Sequence, residues 1–150
     1  MIGGRTAALR VEPHLRAAIY AVVALLFITG AAWLAMDQGT DAFAPDAGWG
    51  QVSAALLAAH GGFAMAFLLL LGALVALHVQ SAWRSRRNRV IGATMLVANA
   101  TLILTAFGLY YLGSETLRRW TSDVHIAVGL GFPAILAIHV FLGRRSRRVE

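Results

Sequence analysis

Four long runs of apolar residues, separated by short polar segments, dominate the pattern along this chain. Each run is long enough to cross a hydrocarbon core of about 30 Å as a helix, and none shows the alternation that is typical of barrel strands. Because lipid offers no partners for backbone polar groups, the pattern predicts helices. We therefore expect an all-α membrane protein, a single four-transmembrane-helix up-and-down bundle over residues 1–150. The predicted spans are about 15–36, 52–82, 90–112 and 124–143.

The composition agrees with a membrane protein and excludes several kinds of site. The chain is 59% hydrophobic and 13% charged, with a mean hydropathy of +0.68, whereas a soluble domain is usually roughly 25% charged. It contains no cysteine, which excludes disulfides, thiolate metal sites and cofactors attached through thioether bonds. The net charge is +6, but the arginines that carry it lie at the ends of the apolar runs. We ascribe them to membrane topology and predict no nucleic-acid partner.

The arginines also predict the orientation of the spans. The first connection, residues 37–51, holds three aspartates and no basic residue. The positive-inside rule therefore places both termini and the middle connection in the cytoplasm. The third connection holds Arg118 and Arg119, and we expect Ser122 or Asp123 to cap the helix that follows. The cytoplasmic clusters are Arg5, Arg10 and Arg16; Arg84, Arg86, Arg87 and Arg89; and Arg144, Arg145, Arg147 and Arg148.

Four histidines lie within the apolar runs, in pairs on the second and fourth. Ionisable residues are costly inside a membrane, so their default interpretation is functional. His60 and His78 are five helical turns apart, and His125 and His139 are close to four turns apart, so each pair shares about one helix face. Spans two and four run in the same direction. We therefore expect His60 with His125 in the outer leaflet and His78 with His139 in the inner leaflet.

Two pairs of opposed imidazoles at two depths predict two haem b groups, held without covalent bonds. Arg118 and Arg119 outside and Arg84 inside are then candidates to pair with the haem propionates. A zinc site would favour four ligands at one centre, and a proton relay would favour carboxylates within the spans; the sequence fits both less well. Histidines that merely bond between helices, in a scaffold or assembly factor without a cofactor, are the alternative from a different class.

Other small and polar residues in the spans have structural interpretations. Pro133 predicts a bend in the fourth span. The polar residues of the third span are expected to bond between helices, and Asn99 near its middle is a candidate contact for a haem edge. They are Thr94, Asn99, Thr101 and Thr105. Glycines of the spans would give room to a flat macrocycle or allow close helix packing. They are Gly61, Gly62, Gly72, Gly108, Gly129 and Gly131.

Three segments carry a family resemblance that covers most of the chain. They are LLFITGAAWL in span one, AAHGG early in span two, and DVHIAVGLGFPAILAIHV in span four. With these residues the chain resembles bacterial di-haem membrane cytochromes b of the b561 type and the cytochrome b subunits of formate dehydrogenase and nickel–iron hydrogenase. The resemblance implies a histidine at the start of the first helix as an inner ligand, which would be His14 with His139. We predict His78 and keep His14 as the alternative.

The resemblance also implies the function. We expect a multi-pass protein of the bacterial inner membrane, in contact with lipid, that transfers electrons across or within the membrane between quinone or quinol and an extracytoplasmic partner. That partner would be a dehydrogenase or a c-type cytochrome. We favour an electron-transfer anchor subunit of an oxidoreductase and assign no catalytic residue. A stand-alone superoxide:quinone-type oxidoreductase, similar to one branch of the family, is the alternative.

Overall fold

The structure, a computed structural model, describes residues 12–39, 47–79 and 89–146. Over these ranges the chain is almost entirely helical and contains no strand. Within these ranges four helices are long and apolar enough to cross a membrane, which confirms the predicted all-α membrane fold. The helices are α1 (Pro13–Gly39), α2 (Ala47–Leu74), α3 (Arg89–Tyr111) and α4 (Glu115–Arg145).

The four helices pack as two compact hairpins. The first hairpin is α1 against α2. A seven-residue connection reaches about 25 Å at most, and α1 is about 40 Å long, so α2 must run back along α1. The second hairpin is α3 against α4. A Cβ atom at position 129 would lie 3.8 Å from Leu102 of α3, and one at position 108, further along α3, would lie 3.1 Å from Thr121. These two helices are therefore antiparallel as well.

The connection in the second hairpin is shorter than the sequence predicted. It consists of residues 112–114, and α4 begins at Glu115. Ser114 is the N-cap, and its side chain accepts a hydrogen bond from the backbone N–H of Leu117 at 3.5 Å. The prediction that Ser122 or Asp123 caps this helix is therefore wrong. The apolar run marks the membrane-crossing part alone, whereas a capping serine and an acidic first turn stabilise further polar turns before it.

Few side chains are buried within either hairpin. Among the described residues, those with the least exposure are Ile19, Val23, Thr29, Ala98, Asn99 and Phe132. Large apolar side chains are exposed along all four helices; Leu69 is 79% exposed and Val90 is 83% exposed. In water such surfaces would be unfavourable, but acyl chains are as apolar as leucine. Contact with lipid therefore explains much of this exposure.

A π-helical segment, Val75–Val79, continues directly from α2 and contains His78. In a π-helix each hydrogen bond spans one more residue than in an α-helix, so the angular position of the following residues changes. The assumption of five regular α-helical turns between His60 and His78 is therefore wrong. The side chain of His78 lies outside the described residues, so its role as a ligand stays a prediction.

The spacing on the fourth span is simpler. His125 and His139 lie on α4, which runs as one helix with Pro133 inside it. Their fourteen-residue separation corresponds to a rise of about 21 Å. The structure therefore places both histidines on one helix, and their separation in membrane depth and the bend at Pro133 stay predictions.

Candidate functional site

In the first hairpin, α1 holds the imidazole of His60 through two oxygen atoms. The Nδ1 atom of His60 lies 3.1 Å from the Thr29 hydroxyl oxygen and 3.1 Å from the backbone oxygen of Leu26. Thr29 is 8% exposed and His60 is partly buried. Both oxygens belong to one turn of α1, so the ring is fixed against that turn.

Gly30 makes this close approach possible. A Cβ atom at position 30 would lie 3.1 Å from Cε1 and 3.3 Å from Nδ1 of His60. The ring therefore occupies space that any other residue would fill. Helix backbones and side chains approach closely in membranes where a small residue leaves room, and here the group admitted is the imidazole itself.

In the second hairpin, α3 holds His125 through a threonine in the same way. The Nδ1 atom of His125 lies 2.8 Å from the Thr105 hydroxyl oxygen. That hydroxyl also donates to the backbone oxygens of its own helix, at 2.7 Å to Thr101 and 3.1 Å to Leu102. Thr29 repeats this pattern, with 2.7 Å to Leu25 and 3.2 Å to Leu26.

The partners of these atoms determine where the imidazole protons lie. A carbonyl oxygen only accepts, so the contact between Nδ1 of His60 and Leu26 requires a proton on Nδ1. Each threonine hydroxyl has a single proton, which it donates to its own helix, so its oxygen accepts from the histidine. The ring of His60 is therefore protonated at Nδ1 when neutral, and the ring of His125 takes the same form when Thr105 donates to its own helix.

An imidazole protonated at Nδ1 carries its lone pair on Nε2. This is the form in which a histidine binds a metal, and metal-bound histidines commonly donate the other ring N–H to a carbonyl or a similar oxygen. Taken singly, each of these two histidines has an Nδ1 partner that suits an imidazole ligand of haem iron, which would bind through Nε2. A cluster of three or more potential metal ligands, as zinc would favour, is not found among the described residues.

The remaining predicted ligands are placed less completely. His139 is partly buried on α4, and His14 is exposed as the second residue of α1. Arg84 lies outside the described residues. Arg118 and Arg119 are exposed near the start of α4. A guanidinium nitrogen of Arg119 lies 4.0 Å from a carboxylate oxygen of Glu115, with both side chains mostly exposed.

In the third span, one polar residue makes the expected hydrogen bond between helices, and two others bond within their own helix. Thr105 bonds across to α4 and confirms the prediction for that residue. Thr94 and Asn99 instead donate to carbonyls of their own helix, at Val90 and Met95. The Asn99 side chain is 7% exposed, and its Oδ1 atom has no hydrogen-bond partner within the described part of the chain. For Thr101 the expectation stays a prediction.

Sequence reasoning missed Thr29 and Gly30. Both lie within LLFITGAAWL, which contributed to the family resemblance but was assigned no site residue. A signal was present, because Thr29 is the one serine, threonine, asparagine or glutamine in the first apolar run, and a glycine follows it directly. A hydroxyl in a span usually bonds to its own helix or to a neighbour. The sequence alone does not say that the neighbour is His60.

Comparison of the chain with protein-family models, with curated proteins and with solved structures finds no match.

Proposed function

We propose that this protein is a membrane cytochrome that binds two haem b groups and passes electrons between quinone or quinol and an extracytoplasmic redox partner. One observation carries the proposal: two intramembrane histidines, His60 and His125, are each held through Nδ1 by a threonine of the neighbouring helix. Histidines that served only to join helices would not require this tautomer in both places. Histidines that would hold haem iron through Nε2 do require it.

The residues assigned to the cofactors follow the sequence prediction. His60 and His125 are ligands of the outer haem, and His139 is a ligand of the inner haem with His78 or His14. Arg118 and Arg119 are candidate partners for outer propionates, because guanidinium groups bind carboxylates through two hydrogen bonds. Arg84 has the same role for the inner haem. When bound, haem iron supplies one-electron redox chemistry, and the protein adjusts it through ligands, burial and hydrogen bonds.

The cellular setting belongs to the same proposal. The four apolar helices support a multi-pass membrane protein, and the arginine distribution supports cytoplasmic termini. We propose the bacterial inner membrane as its location and a dehydrogenase or c-type cytochrome as its partner on the outer side. The protein then acts as the membrane anchor and electron-transfer subunit of that partner.

The first experiment is to express the full chain with ample haem supply and purify it in detergent. We expect a b-type absorption spectrum and a pyridine haemochrome assay that gives two haems per chain. The assay decides between the cytochrome and a scaffold without a cofactor, because a colourless protein would contradict the proposal.

Histidine variants then assign the ligands. H139A is expected to lose one haem. H78A and H14A decide the remaining inner ligand, since the ligand's variant loses a haem and the other variant keeps both. T94V is a suitable control, because it removes an exposed span hydroxyl that bonds only to its own helix at Val90. Retention of two haems by both H60A and H125A would overturn the assignment.

A further inference from the structure

We propose that Thr29 and Thr105 are positioning residues that set the electron-donating strength of the two histidines, and so lower the reduction potential of the iron they bind. This inference rests on the proposed function. It adds to the proposed function two residues, Thr29 and Thr105, that adjust the histidine ligands. It starts from a chain of hydrogen bonds that occurs once in each hairpin.

Each series of hydrogen bonds links an imidazole, a threonine hydroxyl and a backbone oxygen, in that order. The imidazole Nδ1–H donates to the threonine hydroxyl, at 3.1 Å for Thr29 and 2.8 Å for Thr105. The hydroxyl in turn donates to the backbone oxygen four residues earlier, at 2.7 Å in both hairpins. Hydrogen bonds that follow one another polarise each other. A hydroxyl whose proton is already donated is therefore a better acceptor for the imidazole.

The effect on the ligand follows from the direction of these bonds. Withdrawing the Nδ1 proton toward an acceptor increases electron density in the ring and makes Nε2 a more basic ligand. A more basic imidazole stabilises oxidised iron over reduced iron, which lowers the potential. These linked hydrogen bonds are partly buried in a medium of low dielectric constant, which strengthens each of them.

Thr29 must also hold the His60 ring in position, and the residues around it leave room for that ring. Gly30 admits the His60 ring against α1, so that ring contacts the hydroxyl and the Leu26 oxygen together. A threonine that served only as a space-filling residue would be replaced without effect by valine, which has nearly the same shape. A threonine that polarises the imidazole would not.

The test compares T29V and T105V with T29S and T105S in the purified full-length protein. We expect each valine variant to keep two haems per chain and to raise one of the two midpoint potentials. The serine variants, which restore a hydroxyl, should return that potential toward its original value. T94V removes a hydroxyl from the same helix as Thr105, and should change neither potential. Potentials that are unchanged in both valine variants would overturn the proposal.

A second measurement does not need haem and separates this inference from the proposed function. In protein labelled with ¹⁵N-histidine and prepared without haem, the ring nitrogen shifts report which nitrogen is protonated. We expect His60 and His125 to be protonated at Nδ1, and T105V to move His125 toward the other tautomer. Protonation at Nε2 in the unaltered protein would overturn the inference even if haem binds. The expected tautomers in a protein that never binds haem would overturn the proposed function instead.

Discussion

In the first hairpin a glycine follows the threonine that contacts the histidine, and the imidazole of His60 lies directly against the backbone of α1. In the second hairpin an alanine follows the corresponding threonine. The two threonines hold their histidines alike, but Thr29 precedes Gly30 and Thr105 precedes Ala106. His60 thereby reaches the Leu26 oxygen as well as the hydroxyl. In the second hairpin the tightly packed glycine is Gly108, and the side chain next to it is Thr121 and not a histidine.

This difference shows which part of the arrangement the two hairpins share. The hydroxyl beside Nδ1 occurs in both hairpins, so it is the common element. The glycine beneath the ring occurs in the first hairpin and has no counterpart at position 106, so it answers a local steric need. The carbonyl of Leu26 gives His60 a second acceptor at 3.1 Å.

The largest effect is expected from removing the histidines themselves. H60A and H125A should each reduce the haem content from two to about one per chain, because each variant removes one of the two imidazoles proposed to hold the outer haem. The sequence predicts that His60 and His125 bind the same haem, so both single variants should lose that one haem. A double variant that retains about one haem by pyridine haemochrome would confirm that pairing, and a haem-free double variant would assign the two histidines to different haems.

The next effect is expected at Gly30. In G30A the new methyl group would lie 3.1 Å from a ring atom of His60, and the ring cannot move without weakening its hydrogen bonds. Overpacking of this kind costs about 1–3 kcal/mol, against a gain of about 1 kcal/mol from better helix propensity. We expect a net loss of up to about 2 kcal/mol in the free energy of unfolding in detergent, together with weaker haem retention.

The control for G30A is G50A, in the same hairpin, where an added Cβ atom meets nothing within 4 Å. It should unfold at the same denaturant concentration as the original protein or at a higher one. Equal stability and haem content in G30A and G50A would show that the His60 ring does not need the space above Gly30.

A smaller effect is expected in the second hairpin at Gly108. A Cβ atom there would meet Cγ2 of Thr121 at 3.1 Å and Cδ1 of Leu112 at 3.2 Å. Both atoms are ends of side chains, and the leucine can rotate away. G108A should therefore cost about 1 kcal/mol or less in the free energy of unfolding. The control is G92A on the same helix, because a Cβ atom at position 92 meets nothing within 4 Å.

If G108A proved as disruptive as G30A, the contrast between a fixed ring and a movable side chain would be wrong. Haem content distinguishes the two further. G30A should affect the haem ligated by His60, whereas G108A should leave the haem content unchanged because Thr121 lies one turn away from His125.

The smallest effect concerns the N-cap of α4. S114A removes a 3.5 Å hydrogen bond to an exposed backbone N–H, which belongs to the weak end of capping interactions, about 0.5 kcal/mol. Thermal unfolding in detergent should show a slight decrease in midpoint for S114A. S122A, inside α4, should show none. A larger decrease for S122A would favour the cap position predicted from the sequence.

Much of the fold followed from the sequence because hydrophobicity is a property of single residues and adds along the chain. All four spans were predicted, with ends that differ most at α4, where Glu115 and the polar turns after it carry no apolar signal. The π-helical segment around His78 was not predictable. Its leucine, alanine and valine residues fit an α-helix equally well, and the choice depends on packing.

For the candidate site, residue type and tertiary contact contributed different parts. The sequence by itself determined that His60, His125 and His139 lie within helices long and apolar enough to cross a membrane, since the apolar runs around them are recognisable residue by residue. Tertiary structure decided that Thr29 and Thr105 meet two of these rings. Hydrogen bonds depend on distances of a few tenths of an ångström between atoms far apart in the chain, and neither hydropathy nor spacing records such distances.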